Sequence, residues 1–151
     1  MRIARSSAWS REVIDSFLEQ AVIPVRLAVL DETYPAVCSI WFEWDAAEGM
    51  LWCASHESSK LIRLLQKNPR CAFEIAPNDP PYKGVRGQGL ATLRREGAAE
   101  VLSRLITRYQ GNTGSPLAKW LLSRQAGEFA IGITPVWLSA WDYSKRMAKS
   151  D

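Results

Sequence analysis

The chain has a single histidine, His56, and only three cysteines, Cys38, Cys53 and Cys71, among its 151 residues. One histidine leaves a Ser-His-Asp or Cys-His device no choice of base, so a hydrolase of either kind would have to be built on His56. The cysteines form no CxxC pair, are odd in number and lie in apolar, strand-like runs. They read as reduced core residues, not as a disulfide or zinc framework. There is no Walker loop and no GxGxxG, and Gly87-x-Gly89 alone carries no weight. No apolar run reaches transmembrane length, because Arg26 and Asp31 interrupt the longest one. The first residues carry Arg2 and Arg5 without a continuous apolar stretch before Arg11, unlike a signal peptide. Together these absences predict a cytoplasmic protein with no membrane partner. Charge of one sign is not concentrated either: nineteen Lys and Arg against sixteen Asp and Glu leave a scattered surplus of +3. That argues against a nucleic-acid partner and suits a small ligand bearing a phosphate.

What is present is ordinary globular composition, 47% apolar and 23% charged, in a length that fits one domain over residues 1–151. Ser10 can cap a short helix in which Val13, Ile14, Phe17, Leu18 and Ala21 share a face, with Pro24 closing it. Val25 to Leu30 and Ala36 to Trp44 are β-branched, aromatic and apolar, and the intervening Asp31 to Pro35 segment makes them a hairpin. Met50 to Ser55 is a third strand. A helix then starts at Ser58 or Ser59, carries the stripe Leu61, Ile62, Leu64 and Leu65, and ends at Asn68-Pro69.

Cys71 to Ile75 is a strand, and Gly84 to Leu93 is a longer one. Its Gly87 and Gly89 point to a bulge, or to the close approach of a ligand or a second backbone. Ala98, Val101, Leu102, Leu105, Ile106 and Tyr109 have helical spacing. Ser115-Pro116 opens a further helix that runs to about Gln125 with Gly127 as its stop. Phe129 to Val136 and Trp137 to Tyr143 are the last two strands. Six or seven antiparallel strands with short helices among them predict a mainly β, α+β fold, a closed or nearly closed barrel. Strands apolar on both faces, such as Cys38 to Trp44, need cover on both sides, which a second subunit can supply.

Two features could carry chemistry. His56-Glu57-Ser58-Ser59-Lys60 places two hydroxyls and an ammonium at a helix start, where unpaired N–H groups and partial positive charge bind phosphate. The plainer reading is a helix cap followed by a solvated lysine, and on the motif alone it is the stronger of the two. The seven tryptophans are the second feature, with Trp41, Trp44, Trp137 and Trp141 near strand ends. Large aromatics can wall a planar heterocycle, but more often they are core or interface.

The stretch Leu51 to Lys60, followed by Asn68-Pro69-Arg70-Cys71-Ala72, resembles the pyridoxamine 5'-phosphate oxidase-like family: strand, Glu-Ser-x-Lys turn, helix, then Asn-Pro-Arg before the next strand. The Arg26 to Leu30 hairpin, the Gly84 to Gly89 strand and the closing Trp141 fit as well, so the resemblance covers nearly the whole chain. It implies a split β-barrel and an FMN cofactor. By position, Ser59 and Lys60 would hold the FMN phosphate, with Ser58 in the turn and Ser55 nearby. Ser39, Ile40 and Trp41 would lie along the isoalloxazine. Arg86 and Trp141 would come from the other subunit of a homodimer. Two departures bear on substrate and cofactor. The Arg-x-His segment of the vitamin oxidases is replaced by Ser144-Lys145-Arg146-Met147-Ala148-Lys149, which argues against vitamin oxidation. The family's basic residue beside Lys60 is replaced by Ser59.

The resemblance therefore implies a flavin-dependent oxidoreductase acting on a small molecule, in which the cofactor does the chemistry and the protein supplies orientation and electrostatics. A deazaflavin coenzyme in the same phosphate turn is the nearest variant. A non-catalytic flavin or haem carrier or sensor is the alternative of a different class, and His56 would be the only histidine available to ligate haem iron.

Overall fold

The computed structural model describes residues 1–148. Its centre is an eight-stranded sheet in the order β3-β2-β6-β7-β8-β5-β4, with β1 paired to β8. In chain order these strands are β1 (Arg2–Ile3), β2 (Val25–Asp31), β3 (Tyr34–Ile40), β4 (Glu43–Asp45), β5 (Met50–His56), β6 (Arg70–Ile75), β7 (Lys83–Arg94) and β8 (Glu128–Asp142). All neighbours are antiparallel except the short β1, which runs parallel to β8. The α+β split barrel is present, but the sheet does not close on itself.

Strand patterning builds the core as period-2 alternation requires. Val25, Leu27 and Val29 of β2, Cys71, Phe73 and Ile75 of β6, and Leu51 and Cys53 of β5 point into one buried cluster. Helix α2 (Lys60–Lys67) adds Leu61, Ile62, Leu64 and Leu65 to it. Burying a large aliphatic side chain is worth about 1.5–3 kcal/mol, so these four anchor α2 firmly. Helix α1 (Arg11–Gln20) contributes only Ile14 and Leu18 as fully buried residues, while Val13 of the expected face is 48% exposed. Ser10 stands at its N-cap without a side-chain capping bond.

The other faces of β5 and β8 are covered by α3 (Ala98–Gln110). Its Ala98, Val101 and Leu105 pack on Ala130 with Trp41, Trp52 and Ala54 alongside. Gly111 ends α3 at φ +75°, a left-handed conformation that favours glycine. Helix α4 (Pro116–Ser123) leans on α3 through Ala118, which packs with Leu102 and Ile106. The second cover predicted from two-faced apolar strands is thus supplied at Trp41 by α3 and α4 of the same chain. Val37 and Tyr34 of β3, by contrast, stay 68% and 78% exposed.

Three element boundaries differ from those read in the sequence. The Ala36 to Trp44 run is two strands, because the chain leaves β2 after Ile40 and pairs with β5 from Glu43, turning at Trp41-Phe42. The two expected C-terminal strands are one, β8, which pairs continuously with β7 except for a bulge at Gln88/Gly89 opposite Pro135 to Trp137. Helix α4 stops at Ser123 and a 3-10 turn, Gln125–Gly127, follows before β8. The glycines of β7 have the bulge and the close backbone expected of them, and that backbone is β8. A Cβ on Gly87 would lie 2.7 Å from the Trp137 carbonyl oxygen, and one on Gly89 2.7 Å from that of Thr134.

Candidate functional site

The turn between β5 and α2 is fixed by its own side chains. Ser59 is the N-cap of α2, and its Oγ accepts from the Ile62 N–H at 3.2 Å. Ser55 Oγ donates to the same oxygen at 2.9 Å. The Ser58 N–H donates to His56 Nδ1 at 3.2 Å, and Ser58 Oγ lies 2.8 Å from that nitrogen. Nδ1 thus faces the turn and Nε2 faces away from it. That nitrogen faces Gly127, where an added Cβ would sit 2.3 Å away. Nδ1 is therefore engaged within the turn, and Nε2 packs against Gly127.

This turn forms one end of a cavity of about 490 Å³, within the usual range for small-molecule sites. Ser39, Ile40 and Trp41 line one side, Ala54, Ser55, His56, Ser58 and Ser59 another, and Leu102 and Leu105 of α3 the floor. Leu117, Trp120 and Leu121 of α4 make the outer wall, and Arg124 and Glu128 complete it. The Trp41 ring is stacked on Tyr109 of α3, with centroids 5.1 Å apart and planes 10° from parallel. Tyr109 Oη donates to the Ile23 carbonyl at 2.7 Å and accepts from the Phe42 N–H at 3.3 Å. It thereby holds the strand break at Trp41-Phe42, and burial raises its phenol above the usual range.

Ser39, Ile40, Trp41, Ser55, Ser58 and Ser59 are thus brought together; Lys60, Arg86 and Trp141 do not line this cavity. The Lys60 ammonium is 2.5 Å from Asp31 Oδ2 at the end of β2. Arg86 is exposed on β7, in register with Glu74 and Ser139. Trp141 lies opposite Gly84 and tilts against Tyr143, with ring centroids 5.5 Å apart.

Two charged residues of the wall were not singled out from the sequence. Arg124 lies past the end of α4, with its guanidinium over the Trp120 ring, 4.6 Å from the centroid. Glu128 opens β8 in register with His56 and is only 5% exposed. Burial pushes its carboxyl above the ordinary range, with Arg124 opposing. The available signal was an acid abutting the apolar run that begins at Phe129. The cysteines make no site: burial raises Cys71 to about 11 and Cys53 further, and all three are free thiols. Among the described residues no group of three or more His, Cys, Asp or Glu is placed to hold a metal, and no helix is long and apolar enough to cross a membrane.

No protein-family model matches the sequence, and no curated protein matches it. Solved structures do match. A conserved hypothetical protein from Mycobacterium tuberculosis superposes with a TM-score of 0.78 at 18% identity, over 100% of this chain and 96% of its own. An F420 reductase gives 0.69 at 24% identity, over 83% and 94%. A protein from Listeria innocua described as a pyridoxamine 5'-phosphate oxidase gives 0.64 at 18% identity, over 89% and 98%. The chain has the pyridoxamine 5'-phosphate oxidase-like fold. At these identities the likeness is one of split-barrel architecture, and the chemistry rests on the cavity itself.

Proposed function

We propose that the cavity takes a flavin-type cofactor, FMN or a deazaflavin coenzyme, and that the protein is a cytoplasmic oxidoreductase acting on a small molecule. The observation that carries this reading is the convergence of the Ser55, Ser58 and Ser59 hydroxyls with Trp41 on one largely apolar cavity. The residues fit such a group: hydroxyls and the first N–H groups of α2 suit a phosphate, and Ile40, Trp41 and Ala54 suit the face of a planar ring. Arg124 is the cation already in the wall, and the aliphatic side chains of α3 and α4 exclude water from the ring. A bound flavin supplies hydride transfer; the chain supplies position and electrostatics.

The same reading makes the protein a homodimer. Leu30, Leu90 and Val136 are 49%, 46% and 52% exposed, and together they line a second groove of about 580 Å³ across β2, β6, β7 and β8. A matching surface on a second copy would cover it and bring Arg86 and Trp141 towards the other protomer's ligand. An absorbance spectrum of the purified protein, followed by titration with FMN, the deazaflavin coenzyme and haem, tests the assignment. A flavin or deazaflavin band with saturable binding is expected. Binding of haem alone would replace this reading with that of a carrier.

A further inference from the structure

Glu128 is the anomaly of the cavity. It lines the wall, the residue as a whole is only 5% exposed, and among the described residues its carboxyl, which still reaches the cavity, has no hydrogen-bond or ion-pair partner. A partly desolvated carboxyl that faces a cavity without a protein partner is free to bond a ligand there. The surroundings explain what it can meet. Leu102, Leu105 and Leu121 offer it no hydrogen bond from their side chains, and the Ser55 and Ser58 hydroxyls lie with Ser59 Oγ and His56 and make no bond to Glu128.

We propose that Glu128 is the recognition group of this cavity, its carboxyl meeting the adjacent N–H and C=O of a cyclic imide or lactam edge on a planar heterocycle. A protonated carboxyl carries one O–H donor beside one C=O acceptor, so it pairs with such an edge through two parallel hydrogen bonds. Burial raises the carboxyl pKa, towards that protonated form, with Arg124 opposing. Isoalloxazines and their deaza analogues both carry this edge, so the inference rests on the proposed flavin-type ligand and names the part of it that is read.

Riboflavin, which has the imide N–H and no phosphate, is the probe, with 3-methylriboflavin as its blocked counterpart. Wild type should bind riboflavin about 10-fold more tightly than the methylated ring, as expected from two neutral hydrogen bonds. Glu128→Gln keeps a donor and an acceptor and should retain the preference; Glu128→Leu should lose it together with about 10-fold in riboflavin affinity. Without ligand, Glu128→Leu should melt about 2–4 °C higher, because a desolvated carboxyl has been removed.

Riboflavin affinity of the wild type should fall as pH rises through the raised carboxyl pKa, where the O–H donor is lost. The Gln variant isolates this from His56, the other titratable group in the wall, and from the fixed charge of Arg124. If wild type binds riboflavin and Glu128→Leu binds it equally, the role of Glu128 is overturned while the flavin reading stands. If wild type binds no flavin or deazaflavin, both fall.

Discussion

At the scale of single residues, the turn at the start of α2 shows the helix cap, the plainer of the two roles weighed for it. Ser59 is a working helix cap, and its hydroxyl also faces the cavity. Lys60, which the resemblance assigns to the phosphate, is held instead by Asp31. An exposed ion pair of this kind is worth about 0–1 kcal/mol, little enough for a phosphate to compete. Lys60→Ala should therefore weaken FMN about 10- to 150-fold and leave riboflavin unchanged, as loss of one charge-assisted contact requires. Asp31→Asn should strengthen FMN by releasing the lysine. Lys67→Ala, at the other end of the helix, is the control. Calorimetric titration reads all three, and an unchanged FMN affinity in Lys60→Ala would hand the phosphate to Arg124. The cap was legible because capping depends on local residue types, here a serine just before an apolar helical stripe. The direction of the Lys60 side chain was not, since Asp31 lies on another element.

Elements were legible where periodicity and turn chemistry agree. The stripe of α2 and the Ser115-Pro116 start of α4 both reappear in the structure. Strand ends were misread where the deciding interaction is distant in sequence. Nothing local at Trp41-Phe42 announces a break; Tyr109, 67 residues from Phe42, makes it by binding the Phe42 N–H. The join of the C-terminal strands was hidden for the same reason, because β7 carries the compensating bulge. Gly87 shows how tightly these two strands are matched. Gly87→Ala should cost about 1–3 kcal/mol, the usual penalty of overpacking, because the new Cβ meets a carbonyl of β8 and the Phe73 ring. Urea denaturation of the variant measures it, and a change below about 0.5 kcal/mol, that of an ordinary surface substitution, would mean that β7 and β8 can part freely.

At the scale of the molecule, the sequence carries a mainly β fold but not its neighbours in space. The placing of Glu128 opposite His56, and of Arg124 in the same cavity wall as the turn of α2, depends on β8 pairing with β5, which no spacing along the chain encodes. The proposed homodimer belongs to this scale as well. Leu90 and Val37 lie on the exposed side of the sheet, so Val37→Lys with Leu90→Lys should separate the protomers without unfolding them. Sedimentation should show a dimer for wild type and a monomer for the double variant. Stable interfaces bury about 1,200–2,000 Å², which two charges at their centre should disrupt. A wild-type monomer at micromolar concentration would refute the assembly.

The strands β3 and β4 stand at opposite ends of the sheet order yet are adjacent in the chain, joined by Trp41-Phe42. The ring that hydrogen bonds leave open is therefore clasped by covalent bonds, and the cavity lies along that seam. Circular permutation distinguishes the two kinds of closure. New termini at Glu32-Thr33 would cut only a hairpin turn, while new termini between residues 41 and 42 would turn the barrel into an open ribbon and undo the ligand site with it.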